Sequence, residues 1–318
     1  MRAYIIRRLI LIIPTILVVT ISVFLSIRAV PGSVVEVMVS QRQFATSGEL
    51  TIAELEHALG LDVPVHIQYI RWLGDVFRGD LGESLWSDTS VADEIASRLP
   101  ISIELGLIAL IIGQMIAIPI GVISAIRQDT IGDYVGRIIA IGFMCVPGFW
   151  IATLLMVFPS RWWGWAPPME YVPFLQDPLK NLSVFIIPGL IMGLTAAGGT
   201  MRLTRSMMLE VLRQDYIRTA WSKGLQERVI VLRHALKNAM IPVITVIGMS
   251  VPVIVGGTVI MEQIFNLPGM GRLLLNALNT RDYTMISGTN LFIAIFILAV
   301  NLLVDLSYGF FNPRVRYG

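Results

Sequence analysis

Six stretches of this 318-residue chain, 9–27, 105–126, 138–160, 181–201, 238–261 and 283–304, run for 19 residues or more without one Asp, Glu, Lys or Arg. An α-helix needs about 20 apolar residues to cross some 30 Å of hydrocarbon, so each run is long enough to span a bilayer. None alternates with the period of two that a transmembrane barrel strand requires. Only 14% of the residues are charged, against about 25% in soluble domains. The expectation is an all-α integral membrane protein with six transmembrane helices. The first run follows Arg2, Arg7 and Arg8 as a signal peptide would. It exceeds the usual 7–15-residue apolar core and no A-x-A-like site follows, so it is expected to stay as a helix.

Orientation follows from the basic residues. With the N-terminus inside, fifteen of the 24 Lys and Arg fall on inner segments and nine on outer ones. Eight of the fifteen lie in one loop, 202–237, beside only three acids, Glu210, Asp215 and Glu227. Both termini are therefore expected on the cytoplasmic side. The chain divides into an N-terminus and first span (1–28), an extracytoplasmic helical loop (29–100) and a core of five spans (101–318) that includes the 202–237 loop.

The outer loop carries local helix signals. Thr51-Ile-Ala-Glu54 is a capping box with a stop at Gly60, and Pro64 suits the first position of a second helix. Ser90-Val-Ala-Asp93 caps a third, which Pro100 is expected to break before the second span. The inner loop reads as two amphipathic helices. The first, over 211–224, has the apolar stripe Val211, Leu212, Ile217, Ala220 and Trp221, and ends at Lys223-Gly224, a cation followed by a residue free to take positive φ. The second has Leu225, Val229, Leu232 and Leu236 on one stripe and runs into the fifth span through Pro242. An ordered basic loop of this kind suits docking of a partner, and it can also hold anionic lipid.

Several chemistries are missing. The lysines are Lys180, Lys223 and Lys237, none after a glycine, so the chain has no P-loop for ATP. His57, His66 and His234 form no H-E-x-x-H or Cys/His cluster, so neither a metal site nor a catalytic site is expected. Cys145 reads as a small buried apolar residue. Within the spans, Gln114 and Asn301 suit interhelical hydrogen bonds, and Asp305 suits a basic partner near the inner surface. An ion-coupled secondary carrier, the alternative, would want internal repeats and mid-membrane acids; neither is evident.

Arg218-Thr-Ala-Trp-Ser-Lys-Gly-Leu225 and Leu232-Arg-His-Ala-Leu-Lys-Asn-Ala-Met-Ile-Pro-Val243 resemble the EAA loop of bacterial ABC-importer permeases in its peptide/nickel version. Ala220, Gly224 and Leu236 match the general E-A-A-x3-G-x9-I-x-L-P form, whereas Arg218, Thr219, His234 and Lys237 depart from it. Arg7-Arg8 with Pro14-Thr15, Val30-Pro-Gly32, Gly79-Asp-Leu-Gly82, Phe265-Asn-Leu-Pro-Gly-Met-Gly-Arg-Leu273 with Arg281-Asp-Tyr283, and Asn312-Pro-Arg314 are similar, in order, to further segments of that branch. The last has Asn where the family has Asp.

The resemblance implies the type I importer permease fold and the first of two permeases in an importer of dipeptides, oligopeptides, glutathione, nickel or related solutes. It implies a second homologous permease as heterodimer partner, two ATP-binding subunits holding ATP and Mg, and an extracytoplasmic solute-binding protein in a bacterial inner membrane. No cofactor on this chain and no nucleic-acid partner are implied. Coupling to the ATPase falls on Asp215, Tyr216, Arg218, Thr219, Ala220, Lys223 and Gly224. The outer gate and binding-protein landing area fall on Gly79, Asp80, Leu81, Gly82, Pro268, Gly269, Gly271, Arg272, Arg281 and Asp282.

Overall fold

The computed structural model describes residues 2–29, 35, 57 and 60–311. Thr51–Glu54, Val30-Pro-Gly32, Asn312-Pro-Arg314 and the side chain of Asp305 lie outside what is described. The described chain is helical, with no strand beyond one isolated bridge between Glu83 and Ser90. In order come α1 (Arg2–Ala29), α2 (Val65–Phe77), α3 (Val91–Ile126), α4 (Ile131–Cys145), α5 (Gly148–Trp163), α6 (Pro178–Leu212) and α7 (Asp215–Ser222). After them come α8 (Glu227–Val229), a π-helical turn (Ile230–Ala235), α9 (Leu236–Gly257), α10 (Val259–Ile264), α11 (Met270–Thr280) and α12 (Tyr283–Phe311).

Four helical stretches are long and apolar enough to cross a membrane: Val91–Ile126, Pro178–Leu212, Glu227–Val251 and Tyr283–Val304. The third apolar run is not the single straight helix expected. α4 and α5 meet at an angle of 88°. Pro147 explains the bend, because a proline drives the residue before it out of the helical region, and Val146 sits at φ −91°, ψ 119°. Counted as one span, the pair makes a fifth. Pro100 does not end a helix as expected. α3 runs through it unbroken, so only one intrahelical hydrogen bond is forfeited.

Contacts divide the chain into two compact units. One comprises residues 1–100 with 268–299. There α1 and α2 meet through an aromatic cluster, Phe24 lying 5.2 Å from Tyr69 and 5.7 Å from Trp72 between ring centroids. Arg28 donates to Gln68 Oε1 at 3.0 and 2.7 Å and stacks its guanidinium 3.5 Å from the centre of the Phe24 ring. Burial lowers its pKa to about 10, partly opposed by Tyr283, and it stays charged at neutral pH. His57 pairs with Asp62 at 2.6 Å, and that bond holds the Asp62 carboxyl below its usual range.

The other unit comprises 101–267 with 300–318. Its α3 and α6 touch backbone to backbone. A Cβ on Gly193 would lie 2.7 Å from the Ala109 carbonyl oxygen, so only glycine permits the approach. The outward faces stay apolar: Met115, Ile138 and Leu303 are all more than 60% exposed. In water such a surface would aggregate; against lipid it is matched. Cys145 is exposed rather than buried. It ends α4 on an apolar exterior, where a small apolar thiol costs nothing beside lipid.

Candidate functional site

The inner-loop helix predicted over 211–224 is two helices. Val211 and Leu212 belong to the end of α6, Gln214 is extended (φ −73°, ψ 149°), and α7 starts afresh at Asp215. Had α6 continued, its buried Thr204 and Met208 would be followed on the same face by Asp215. Burying that carboxylate unpaired is costly. The break resets the phase, so that Ile217 and Ala220 are buried and Asp215 is not.

Ile217 and Ala220 sit in a core with Ala125, Met208, Ile230, Val231 and Ala235. Around that anchor Asp215, Tyr216, Arg218, Thr219, Trp221 and Ser222 are exposed. Trp221 therefore leaves the expected stripe, and Ala220 supports the polar face rather than forming it. Arg218 donates to Asp215 at 3.4 Å along the helix. Asn238 Nδ2 donates to the Tyr216 hydroxyl at 2.9 Å, tying α7 to α9.

The stop read at Lys223-Gly224 is where α7 ends. Gly224 N–H donates to the Trp221 carbonyl at 2.9 Å and Leu225 N–H to the Ala220 carbonyl at 3.4 Å. Those two bonds make a Schellman cap, which needs left-handed backbone at Gly224, and its φ is +73°. The following stripe is also shifted from expectation. Leu225 and Leu232 are exposed, while Ile230, Val231, Ala235 and Ala239 are buried. The π-helical turn, whose period is i to i+5, stacks Ala235 under Ile230 and moves the buried face.

Asp133, which sequence reading missed, is fully buried. It accepts from Arg205 Nε at 2.8 Å and Nη2 at 2.7 Å, from Ser124 Oγ, and from the Asp129 N–H at 3.1 Å. Arg137 Nε lies 3.5 Å away without hydrogen-bond geometry. One carboxylate thus links the end of α3, the start of α4 and the last third of α6. Its sequence signal was Thr130-Ile-Gly-Asp133, a capping pattern in which Thr130 takes the Asp133 N–H.

The predicted outer segments lie in the other unit and come together there. Asp80 Oδ1 accepts from the Gly82 N–H at 2.8 Å. Gly79 and Gly82 both take positive φ, +85° and +81°, and a Cβ on Gly82 would meet Thr284 at 2.6 Å. The Gly-Asp-Leu-Gly pattern is thus an Asx turn with two left-handed residues. Ser84 Oγ donates to Asp282 at 2.6 Å, and Trp86 Nε1 to the Thr280 carbonyl at 2.9 Å. Asp282 also takes the Met285 N–H at 3.0 Å, capping α12. Gly79 and Asp80 are exposed; Leu81, Gly82, Pro268, Arg272 and Arg281 are half-buried; Gly269, Gly271 and Asp282 are buried. Arg281 itself adopts positive φ, +55°. Glu262 is buried and accepts from Ser102 Oγ at 2.6 Å, and Gln114 lines a cavity of about 240 Å³ with its Oε1 unpartnered.

Residues 117–317 match the binding-protein-dependent transport system inner membrane component family, and residues 1–106 match its N-terminal companion. The chain belongs to this family of binding-protein-dependent permeases. It is a membrane component of an ABC importer. Full-length relatives of this permease include a putative peptide transport system permease protein of Brucella abortus (strain 2308), 41% identical over 100% of both chains. Another is the dipeptide transport system permease protein DppB of Escherichia coli (strain K12), 37% identical over 100% of this chain and 99% of its own. Among solved structures, an amino acid ABC transporter with histidines aligns over 68% of this permease and 94% of its own chain. The TM-score is 0.51 at 12% identity, a likeness of fold alone.

Proposed function

We propose that this permease is the first of two in an importer of peptides, with six spans and both termini in the cytoplasm. A second homologous permease completes the pathway, and two ATP-binding subunits carry ATP and Mg. An extracytoplasmic solute-binding protein delivers the cargo. In this reading α7 is the coupling helix. Asp215, Tyr216, Arg218, Thr219, Lys223 and Gly224 meet the ATPase while Ala220 seats the helix, and ATP-driven closure switches the pathway from inward-open to outward-open. The 79–82 and 268–282 segments form the outer gate and landing area.

The observation that carries the cargo class is the end-to-end likeness to relatives named for peptide transport. The mechanism is supported by a polar helix face anchored by two buried apolar residues, as a docking element that must transmit force requires. The assembled importer in proteoliposomes, with its binding protein and ATP, should accumulate labelled dipeptide or oligopeptide. Uptake of nickel or glutathione by the same vesicles, with none of peptide, would overturn the cargo class.

A further inference from the structure

A groove of about 1070 Å³ opens between the end of α3, the start of α4 and the π-helical turn. This exceeds the ~300–1,000 Å³ of most small-molecule sites. Its lining includes the apolar Val122, Ile123, Ile126, Ile131, Val231 and Leu232 together with the charged Arg127, Arg228 and Glu227. The order of these residues along the chain is informative. α3 ends its apolar run at Ile126 and turns basic at Arg127; the other stretch of chain is basic at Arg228 and turns apolar at Val229. In the proposed topology α3 runs inward and the 227–251 stretch runs outward, so both walls change from apolar to basic toward the cytoplasm. That is the profile of a bilayer interface, tails on one side and headgroups on the other.

Neither Arg127 nor Arg228 has an ion-pair partner among the described residues. With Glu227 they leave the polar end one positive charge in excess. We propose that the groove is a binding site for one anionic phospholipid. Its phosphodiester is held by Arg127 and Arg228, and its acyl chains lie along Val122, Ile123, Ile126, Val231 and Leu232. A zwitterionic lipid would leave the excess charge uncompensated, whereas a singly anionic one neutralises it. The site needs only that these helices meet a bilayer, and is independent of cargo. Since Val122 and Val231 share a core with Ile217 and Ala220, the bound lipid would brace the floor of α7.

The test uses the purified importer in nanodiscs of phosphatidylcholine containing one fifth phosphatidylglycerol, with lipids retained after gentle detergent release counted by native mass spectrometry. The wild-type complex should retain one phosphatidylglycerol in preference to phosphatidylcholine. Each of Arg127→Gln and Arg228→Gln should weaken retention about 5-fold, and the pair about 30-fold. Ile123→Trp, at a 59% exposed position, should fill the groove and expel lipid without disturbing the core. Equal retention of both lipids by the wild type, or unchanged retention in the double variant, would overturn the proposal. So would phosphatidylethanolamine binding as well as phosphatidylglycerol. Loss of a protein subunit from the variants with lipid retention unchanged would instead make the groove a protein interface.

Discussion

Asp133 has no exposure at all and Arg205 keeps only 17% of its side chain in contact with solvent. A bidentate pair so placed owes its geometry to mutual need. Removing one partner leaves a buried charge uncompensated, at a cost of about 3–5 kcal/mol, while removing both with good packing can be nearly neutral. Asp133→Asn should therefore lower the melting temperature of the detergent-purified protein by roughly 5–10 °C. Asp133→Asn with Arg205→Met should recover more than half of that loss. A loss in the double variant equal to the sum of the losses in Asp133→Asn and Arg205→Met would show that the pair is not energetically coupled. The capping pattern at Thr130 was legible in the sequence, but Arg205 lies 72 residues away, and only the packing of α4 on α6 brings it there. Cys145 failed for a related reason. An apolar residue in a membrane chain can satisfy itself against lipid as well as inside, and sequence does not say which.

Helices announced themselves through apolar runs, and α7 through its terminus at Lys223-Gly224. Phase was harder to see. The break at Gln214 has no proline or glycine to mark it, and is dictated by which residues must be buried on either side. The π-helical turn likewise leaves no mark in a stripe of apolar residues, since Leu225, Val229, Leu232 and Leu236 fit a regular helix that the chain does not form. Prolines misled in both directions: Pro100 was expected to break a helix and did not, whereas Pro147, inside an uncharged run, bends the chain by 88°. For α7 the Schellman cap supplies a sharp test. Nothing lies within 4 Å of where a Gly224 Cβ would be, so a substitution there is penalised by backbone conformation alone, about 1–2 kcal/mol for an ordinary side chain. Gly224→Val should assemble in the membrane yet lose transport and substrate-stimulated ATPase activity together. Gly224→Asn, which tolerates left-handed backbone, should keep most of both. Equal loss in the two variants would mean that a partner surface, rather than the turn, excludes side chains at this position.

At the scale of the whole molecule, the charge asymmetry and the helix lengths make one argument. α6 has 35 residues, about 52 Å of helix, so it overruns some 30 Å of hydrocarbon by several turns. The excess carries Arg202, Arg205 and Glu210 toward α7, and the eight basic residues of 202–237 lie at that end. Anionic headgroups and the positive-inside bias both favour placing such a loop in the cytoplasm. In the proposed six-span topology three crossings separate it from α2, and the first run returns the N-terminus to the side of that loop. In a Cys145→Ser background, needed because the native thiol is exposed, a cysteine at Arg78 should react with an impermeant maleimide in intact cells. One at Gln226, also exposed, should react only after the membrane is opened. Arg78 is a fair reporter because its side chain is 79% exposed and pairs with Asp75 one turn away. Labelling in the reverse order would place the 202–237 loop outside, beyond reach of any cytoplasmic ATPase, and the coupling role of α7 would fall with the topology.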